Sequence, residues 1–149
     1  MASWRGRLFK LGLRGAAWAS RNSWASKVST PLLSALGRAV ARGRGVKRES
    51  EPRALAEAWQ RAFPSKRDVP IVEVTEREAF AEIHTVCPLR ASGDLDACHR
   101  MMAYDRAFVA NAGGKFVVLE SQATAGVTRC RVVIRALSPT LSPAGEREV

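Results

Sequence analysis

Acidic side chains are nearly missing from the first fifty residues, which contain eleven lysines and arginines but a single acid, Glu49. Residues 51–149 contain thirteen basic and thirteen acidic side chains, so the net charge of +10 belongs entirely to the first segment. A charge-balanced remainder has no electrostatic reason to bind DNA or RNA. We therefore expect a basic arm and linker over residues 1–50, followed by a domain that does not use nucleic acid as a partner.

Cysteines and long apolar runs are also scarce. The three cysteines, Cys87, Cys98 and Cys130, are an odd number, and the chain has no contiguous apolar core of the kind found in signal peptides. Both features argue against the disulfide framework of a secreted protein. No run approaches the roughly eighteen apolar residues that a membrane span requires. We expect reduced thiols in a cytoplasmic protein, associated with membranes only through its surface.

The basic arm has the pattern of an amphipathic helix. From Trp4, the apolar residues Leu8, Leu11 and Trp18 recur at helical spacing while basic residues form a separate stripe. A second short helix is predicted to begin at Pro31. Such an arm could lie in an anionic membrane interface with tryptophan at headgroup depth. A helical pair on the protein's own domain, an organellar presequence and a nucleic-acid contact remain alternatives.

Residues 51–137 are predicted to form an α+β domain. The patterns indicate a short helix near residues 53–62, strands at 71–74 and 79–86, a long helix at 95–111, and strands at 115–120 and 127–136. This order favours an antiparallel sheet of about four strands packed with one long and one short helix. The tail at residues 138–149 is rich in proline and is predicted to be disordered.

Six side chains in the domain are suited to binding a transition metal, and they fall at strand ends and at the start of the main helix: His84, Cys87, Cys98, His99, Glu120 and Cys130. If the last two strands form a hairpin over that helix, Cys98, Glu120 and Cys130 would converge, as tetrahedral zinc requires. The chain has no C-x-x-C motif. The alternative is that Cys98 and Cys130 are small buried hydrophobes.

Short motifs in residues 87–134 carry a family resemblance. They are A-C-H at residues 97–99, G-G-K-F-V-V-L-E at residues 113–120, and C-R-V-V-I at residues 130–134. Together these stretches resemble the C-terminal half of the vinyl-4-reductase-type domain, a group of small-molecule and hydrocarbon-binding domains. The resemblance implies a binding module. The family's first half is usually longer and contributes to dimerisation and to the pocket, so a homodimer is a possible further expectation.

The same resemblance implies a zinc site. Its ligands would be Cys98, Glu120 and Cys130, but the family's remaining cysteine position is occupied by Ala123. Cys87 or His84 would have to supply the fourth ligand, with His99 or a water as further alternatives.

A second resemblance points to catalysis. The sequence C-P-L at residues 87–89, Asp105, and the spacing from Gly126 to Cys130 are similar to L-2-amino-thiazoline-4-carboxylic acid hydrolases. In that interpretation Cys87 or Cys98 is the nucleophile, His84 or His99 its base, and Asp105 an orienting carboxylate.

Three hypotheses follow: a binding module for a small apolar ligand, with zinc as a structural cofactor; a cysteine-dependent hydrolase; and a peripheral membrane or scaffold protein anchored by the arm. We favour the binding module, since the sequence has no serine nucleophile motif, phosphate-binding glycine loop or paired carboxylates. Its predicted interior is lined by Trp59, Phe80, Met101, Met102 and Phe108.

Overall fold

The computed structural model describes residues 3–137; the tail predicted to be disordered lies outside them. The helices are α1 (Trp4–Arg21), α2 (Ser23–Gly43), α3 (Pro52–Gln60), α4 (Leu95–Met101) and α5 (Ala103–Asn111). The strands are β1 (Ile71–Val74), β2 (Glu78–Ile83), β3 (Gly114–Glu120) and β4 (Cys130–Ala136), and one 3-10 turn covers Lys66–Asp68. The predicted α+β fold with a four-stranded antiparallel sheet is confirmed.

The strands are arranged in the order β1-β2-β4-β3, so β4, the last strand of the chain, lies between β2 and β3. In β2 the residues Ala79, Ala81 and Ile83 are buried and alternate with half-buried neighbours, as expected for a sheet with one covered face. Ile83 pairs with Cys130 at one end of the β2–β4 ladder. This register places the start of β4 beside the segment that follows β2.

The core is centred on Trp59 in α3, which is fully buried. Its ring lies 4.9 Å from the ring of Phe63 and 5.6 Å from that of Phe116 in β3. Leu55 and Phe108 are buried in the same cluster. The aromatic contacts therefore join α3, the sheet and α5 into one hydrophobic core.

The predicted long helix is two helices, which corrects the expectation for residues 95–111. Asp94 begins α4 by accepting a hydrogen bond from the Ala97 amide at 2.9 Å. The helix is interrupted at Met102, where ψ is 3°, and α5 starts at the next residue. Met102 is buried, and no glycine or proline marks the break in the sequence.

The arm forms two helices joined at Asn22, and we call residues 4–43 the helical hairpin. The predicted start of α2 at Pro31 is wrong: α2 begins eight residues earlier and Pro31 lies inside it. Pro31 is exposed there, so solvent can satisfy the carbonyl that loses its amide donor.

The helical hairpin lies against the domain. A Cβ atom at Gly37 would overlap the backbone carbonyl of Tyr104, which shows how closely α2 approaches α5. Arg100 of α4 donates to the Ser20 carbonyl at the end of α1, at 2.6 Å. The Glu49 amide donates to the Ala112 carbonyl at 2.8 Å. Among the described residues, no helix is long and apolar enough to cross a membrane.

Candidate functional site

A cavity of about 310 Å³ lies between the helical hairpin and the domain. The hairpin contributes residues of α1 and α2, and the domain contributes the end of β2, the α4–α5 junction and the β3–β4 connection. Its walls are largely apolar and include Phe9, Leu13, Leu33, Val40, Phe63 and Met101. Apolar pockets of this size are at the small end of those that bind organic ligands.

The expected lining is only partly correct. Met101 and Met102 line the cavity as predicted, but Trp59, Phe80 and Phe108 do not. Trp59 and Phe108 are fully buried in the core. The reason for the difference is that the helical hairpin supplies one wall of the cavity. The charge pattern of the sequence indicates for these residues an arm outside the domain.

A few polar groups interrupt the apolar lining, from Thr85, Tyr104, Asp105 and Gln122. The Thr85 hydroxyl oxygen is buried and has no hydrogen-bond partner among the described residues. A buried polar group without a partner costs free energy, so it is typical of a position that a ligand or water completes. The cavity therefore offers an apolar volume with a small number of orienting groups.

Asp105 is the charged group of this wall. It is buried, and its Oδ1 atom accepts a hydrogen bond from the indole nitrogen of Trp59 at 2.8 Å. Burial raises the pKa of Asp105 from 3.8 to about 6, because desolvation outweighs the hydrogen bond from Trp59 and the attraction of Arg106. Asp105 lies one helical turn from the buried residues Met101 and Phe108. This spacing could have predicted from the sequence that Asp105 is on the buried face.

Gln122 connects the segment that carries Cys87 to the start of β4, which carries Cys130. Its side-chain nitrogen donates to the carbonyls of Ile83 at 3.2 Å and Thr85 at 2.9 Å. Its side-chain oxygen accepts from the Cys87 amide at 3.1 Å, and its own amide donates to the sulfur of Cys130 at 3.4 Å. Gln122 is fully buried. It was missed from the sequence because no local pattern marks a buried glutamine in a connection between strands.

The three thiols are grouped around residues 121 and 122, and we call them the thiol cluster. Ser121 donates its hydroxyl to the sulfur of Cys98 at 3.0 Å, next to the Gln122 amide that reaches Cys130. The Leu89 amide donates to the sulfur of Cys87 at 3.4 Å. All three cysteines are buried and free, and Cys87 and Cys130 line the cavity.

The surroundings of Cys87 and Cys130 oppose ionisation of their thiols. Burial raises the pKa of Cys130 from 9.0 to about 11, and the neighbouring thiols of Cys98 and Cys87 add to this rise. Burial also raises the pKa of Cys87, again with a contribution from Cys98. A thiol nucleophile or metal ligand acts as thiolate, so these surroundings favour packing over reactivity.

The predicted zinc ligands are brought together only in part. The β3–β4 hairpin forms, and Cys98 and Cys130 both reach residues 121 and 122. Glu120 is exposed. Ala123, which occupies the family's remaining cysteine position, is buried. His84 is also exposed and is hydrogen-bonded to Glu82 at 2.7 Å. Within residues 3–137, no three Cys, His, Asp or Glu side chains are arranged to hold a metal ion. The zinc site stays a prediction.

The predicted catalytic groups form their hydrogen bonds with other residues. His99 is exposed and lies 3.5 Å from a guanidinium nitrogen of Arg106. His84 is hydrogen-bonded to the carboxylate of Glu82, and Asp105 accepts a hydrogen bond from the indole of Trp59. The hydrogen bonds found in the described part of the chain therefore join neither histidine to a thiol. The hydrolase hypothesis also stays a prediction.

Comparisons of the chain with protein-family models, with curated proteins and with solved structures find no match. The function therefore has to be inferred from the cavity and the thiol cluster.

Proposed function

We propose that the protein binds a small apolar molecule in the cavity between the helical hairpin and the domain. The observation that carries this proposal is the cavity itself, with a volume of about 310 Å³ and mostly apolar walls. Largely apolar cavities of this size accept small apolar ligands. Burial of the ligand's apolar surface would supply most of the binding free energy.

The polar groups of the cavity limit the chemistry of the ligand. Thr85 lines the cavity, and its buried hydroxyl, which has no partner among the described residues, could turn toward a ligand with a single hydroxyl or carbonyl group. The nearby Asp105 disfavours an anionic ligand while it is ionised. Met101 and Met102 have flexible side chains that adapt to ligands of different shape.

The resemblance to vinyl-4-reductase-type domains supports the same class of function, because those domains bind small molecules and hydrocarbons. A structural zinc ion held by Cys98 and Cys130 is a separate proposal. Metal analysis of protein purified without a metal-affinity tag tests it. About one zinc per chain, lost in both Cys98→Ala and Cys130→Ala, is the result that the zinc proposal requires.

The binding proposal can be tested with two glycines of α1. Gly12 lines the cavity, Gly15 does not, and a Cβ at either position would meet open space. Both substitutions to leucine improve the intrinsic helix propensity by a similar amount. Gly12→Leu should fill the cavity and weaken binding of phenylnaphthylamine, a neutral apolar fluorophore, by at least about tenfold. Gly15→Leu should bind it like the native chain.

The outcome against the proposal is equally specific. If the native chain produces no saturable rise in fluorescence, or if both leucine variants bind the dye equally, the cavity is not a ligand site. Thermal unfolding of the three proteins shows whether each is folded.

A further inference from the structure

The helical hairpin has an outer face that carries large, exposed apolar side chains. Six large apolar side chains on it are each between 61 and 70% exposed: Trp4, Leu11 and Trp18 of α1, and Trp24, Val28 and Leu32 of α2. We call these six residues the outer stripe. The rings of Trp18 and Trp24 meet edge to face, with centroids 6.4 Å apart. The α1 and α2 parts of the outer stripe are therefore in contact where the two helices meet.

This exposure is not a result of fraying. The opposite side of each helix is held in place: Phe9 of α1 packs against Phe63 at 5.8 Å, and Gly37 of α2 packs against α5. Because the inner faces are anchored, the outer stripe cannot rotate inward without undocking the hairpin. Contiguous apolar patches of this kind mark surfaces that meet a partner or a membrane.

The charge around the outer stripe identifies the partner. Residues 3–48 contain eleven lysines and arginines and no acid, and all eleven are exposed. On α1, the side chains of Arg7, Lys10 and Arg14 follow one edge of the stripe at helical spacing. Exposed tryptophan beside clustered arginine is the composition of helices that lie in an anionic bilayer interface, with rings at headgroup depth and cations at phosphates.

We propose that the outer stripe docks the protein on the surface of an anionic phospholipid bilayer. The apolar side chains enter the boundary between headgroups and acyl chains, and the flanking basic side chains contact lipid phosphates. This surface is distinct from the cavity, which faces the inner side of the hairpin. The docking would therefore stand even if the cavity bound no ligand.

Loss of docking can be measured by co-sedimentation of the full chain with vesicles of phosphatidylcholine, with and without phosphatidylglycerol. The native chain should bind the anionic vesicles and bind the neutral ones weakly. Trp18→Ser combined with Trp24→Ser should weaken binding at least about tenfold. The matched control is Val72→Ser combined with Leu119→Ser, since these side chains are also exposed but lie on the sheet.

The contribution of charge can be measured separately. Changing Arg7, Lys10 and Arg14 to glutamine should weaken binding to the anionic vesicles about 100-fold, since each basic side chain near such a surface contributes on the order of one kcal/mol. Binding to neutral vesicles should not change.

A gain of docking is the sharper test, because two variants at one position can be compared directly. Gly15 lies one turn after Leu11 and one turn before Trp18, and a Cβ there would meet nothing within 4 Å. Gly15→Leu and Gly15→Gln raise helix propensity alike, but only leucine adds apolar surface to the stripe. Gly15→Leu should bind anionic vesicles about tenfold more tightly than Gly15→Gln.

Three results would overturn the proposal. One is that the native chain does not bind anionic vesicles. Another is that the tryptophan variant binds them as tightly as its control. The third is that the native chain forms a dimer that the tryptophan variant abolishes, with no vesicle binding, which would make the outer stripe an interface between copies of this chain.

Discussion

The indole nitrogen of Trp59 donates a hydrogen bond to the carboxylate of Asp105 at 2.8 Å inside the hydrophobic core. This contact joins α3 to α5 and satisfies a polar atom on the largest core side chain, which has no other route to water. It also places a titratable group beside the cavity. The stability of the fold and the polarity of the candidate site therefore depend on the same carboxylate.

Stability should fall with pH because of Asp105. Its pKa in the folded chain is about 6 and its ordinary value is 3.8, so the folded state binds the proton more tightly than the unfolded state. The stabilisation that comes from protonated Asp105 is complete below about pH 4. It is lost as the pH rises to about 6, which lowers the free energy of unfolding by about 2–3 kcal/mol. Asp105→Asn keeps an acceptor for Trp59 without the charge, and so it should be more stable than the native chain near pH 7.

Urea unfolding at about pH 4 and pH 7 measures this difference. The advantage of Asp105→Asn should be present near pH 7 and nearly absent near pH 4. Glu76→Gln is the control, because Glu76 is exposed in the β1–β2 turn. An equal advantage at both pH values would show that the effect does not come from titration of Asp105.

Gln122 should be the most sensitive polar residue of the candidate site. Gln122→Ala removes one acceptor and two donor contacts, and leaves the buried Cys87 amide and the Ile83 and Thr85 carbonyls without these partners. We expect a loss of about 3 kcal/mol in the free energy of unfolding. Thr124→Ala in the same connection is exposed and should change stability little. Similar losses in both variants would argue against a special role for the glutamine.

Much of the fold could be predicted from the sequence because its signals are local. Apolar alternation predicted the four strands, although β2 ends at Ile83 and not at residue 86, and β4 begins at Cys130 and not at residue 127. The break at Met102 and the close contact at Gly37 depend on tertiary packing and have no local signal. The thiols were recognised as a group, but the role of Gln122 depends on hydrogen bonds to residues about 35 positions away in the chain.

Cys87 and Cys130 should react slowly with alkylating reagents, because burial raises the pKa of both thiols. At a pKa of about 11, only about one Cys130 side chain in ten thousand is a thiolate near pH 7. We expect iodoacetamide to modify the folded chain far more slowly than the chain unfolded in urea. Mass spectrometry of the digested protein gives the rate for each cysteine. Rapid modification of Cys87 or Cys98 near neutral pH would instead favour the hydrolase hypothesis.

Gly37 should control the attachment of the helical hairpin to the domain. Any side chain at this position meets the backbone of Tyr104, which cannot move without shifting α5, so Gly37→Ala should destabilise the protein by about 1–3 kcal/mol despite its better helix propensity. Gly43→Ala is the matched control, since a Cβ there meets nothing within 4 Å. Because α2 forms one wall of the cavity, Gly37→Ala should also weaken phenylnaphthylamine binding. Thermal unfolding and dye titration measure the two effects, and a Gly37→Ala protein as stable as Gly43→Ala would contradict the close α2–α5 contact.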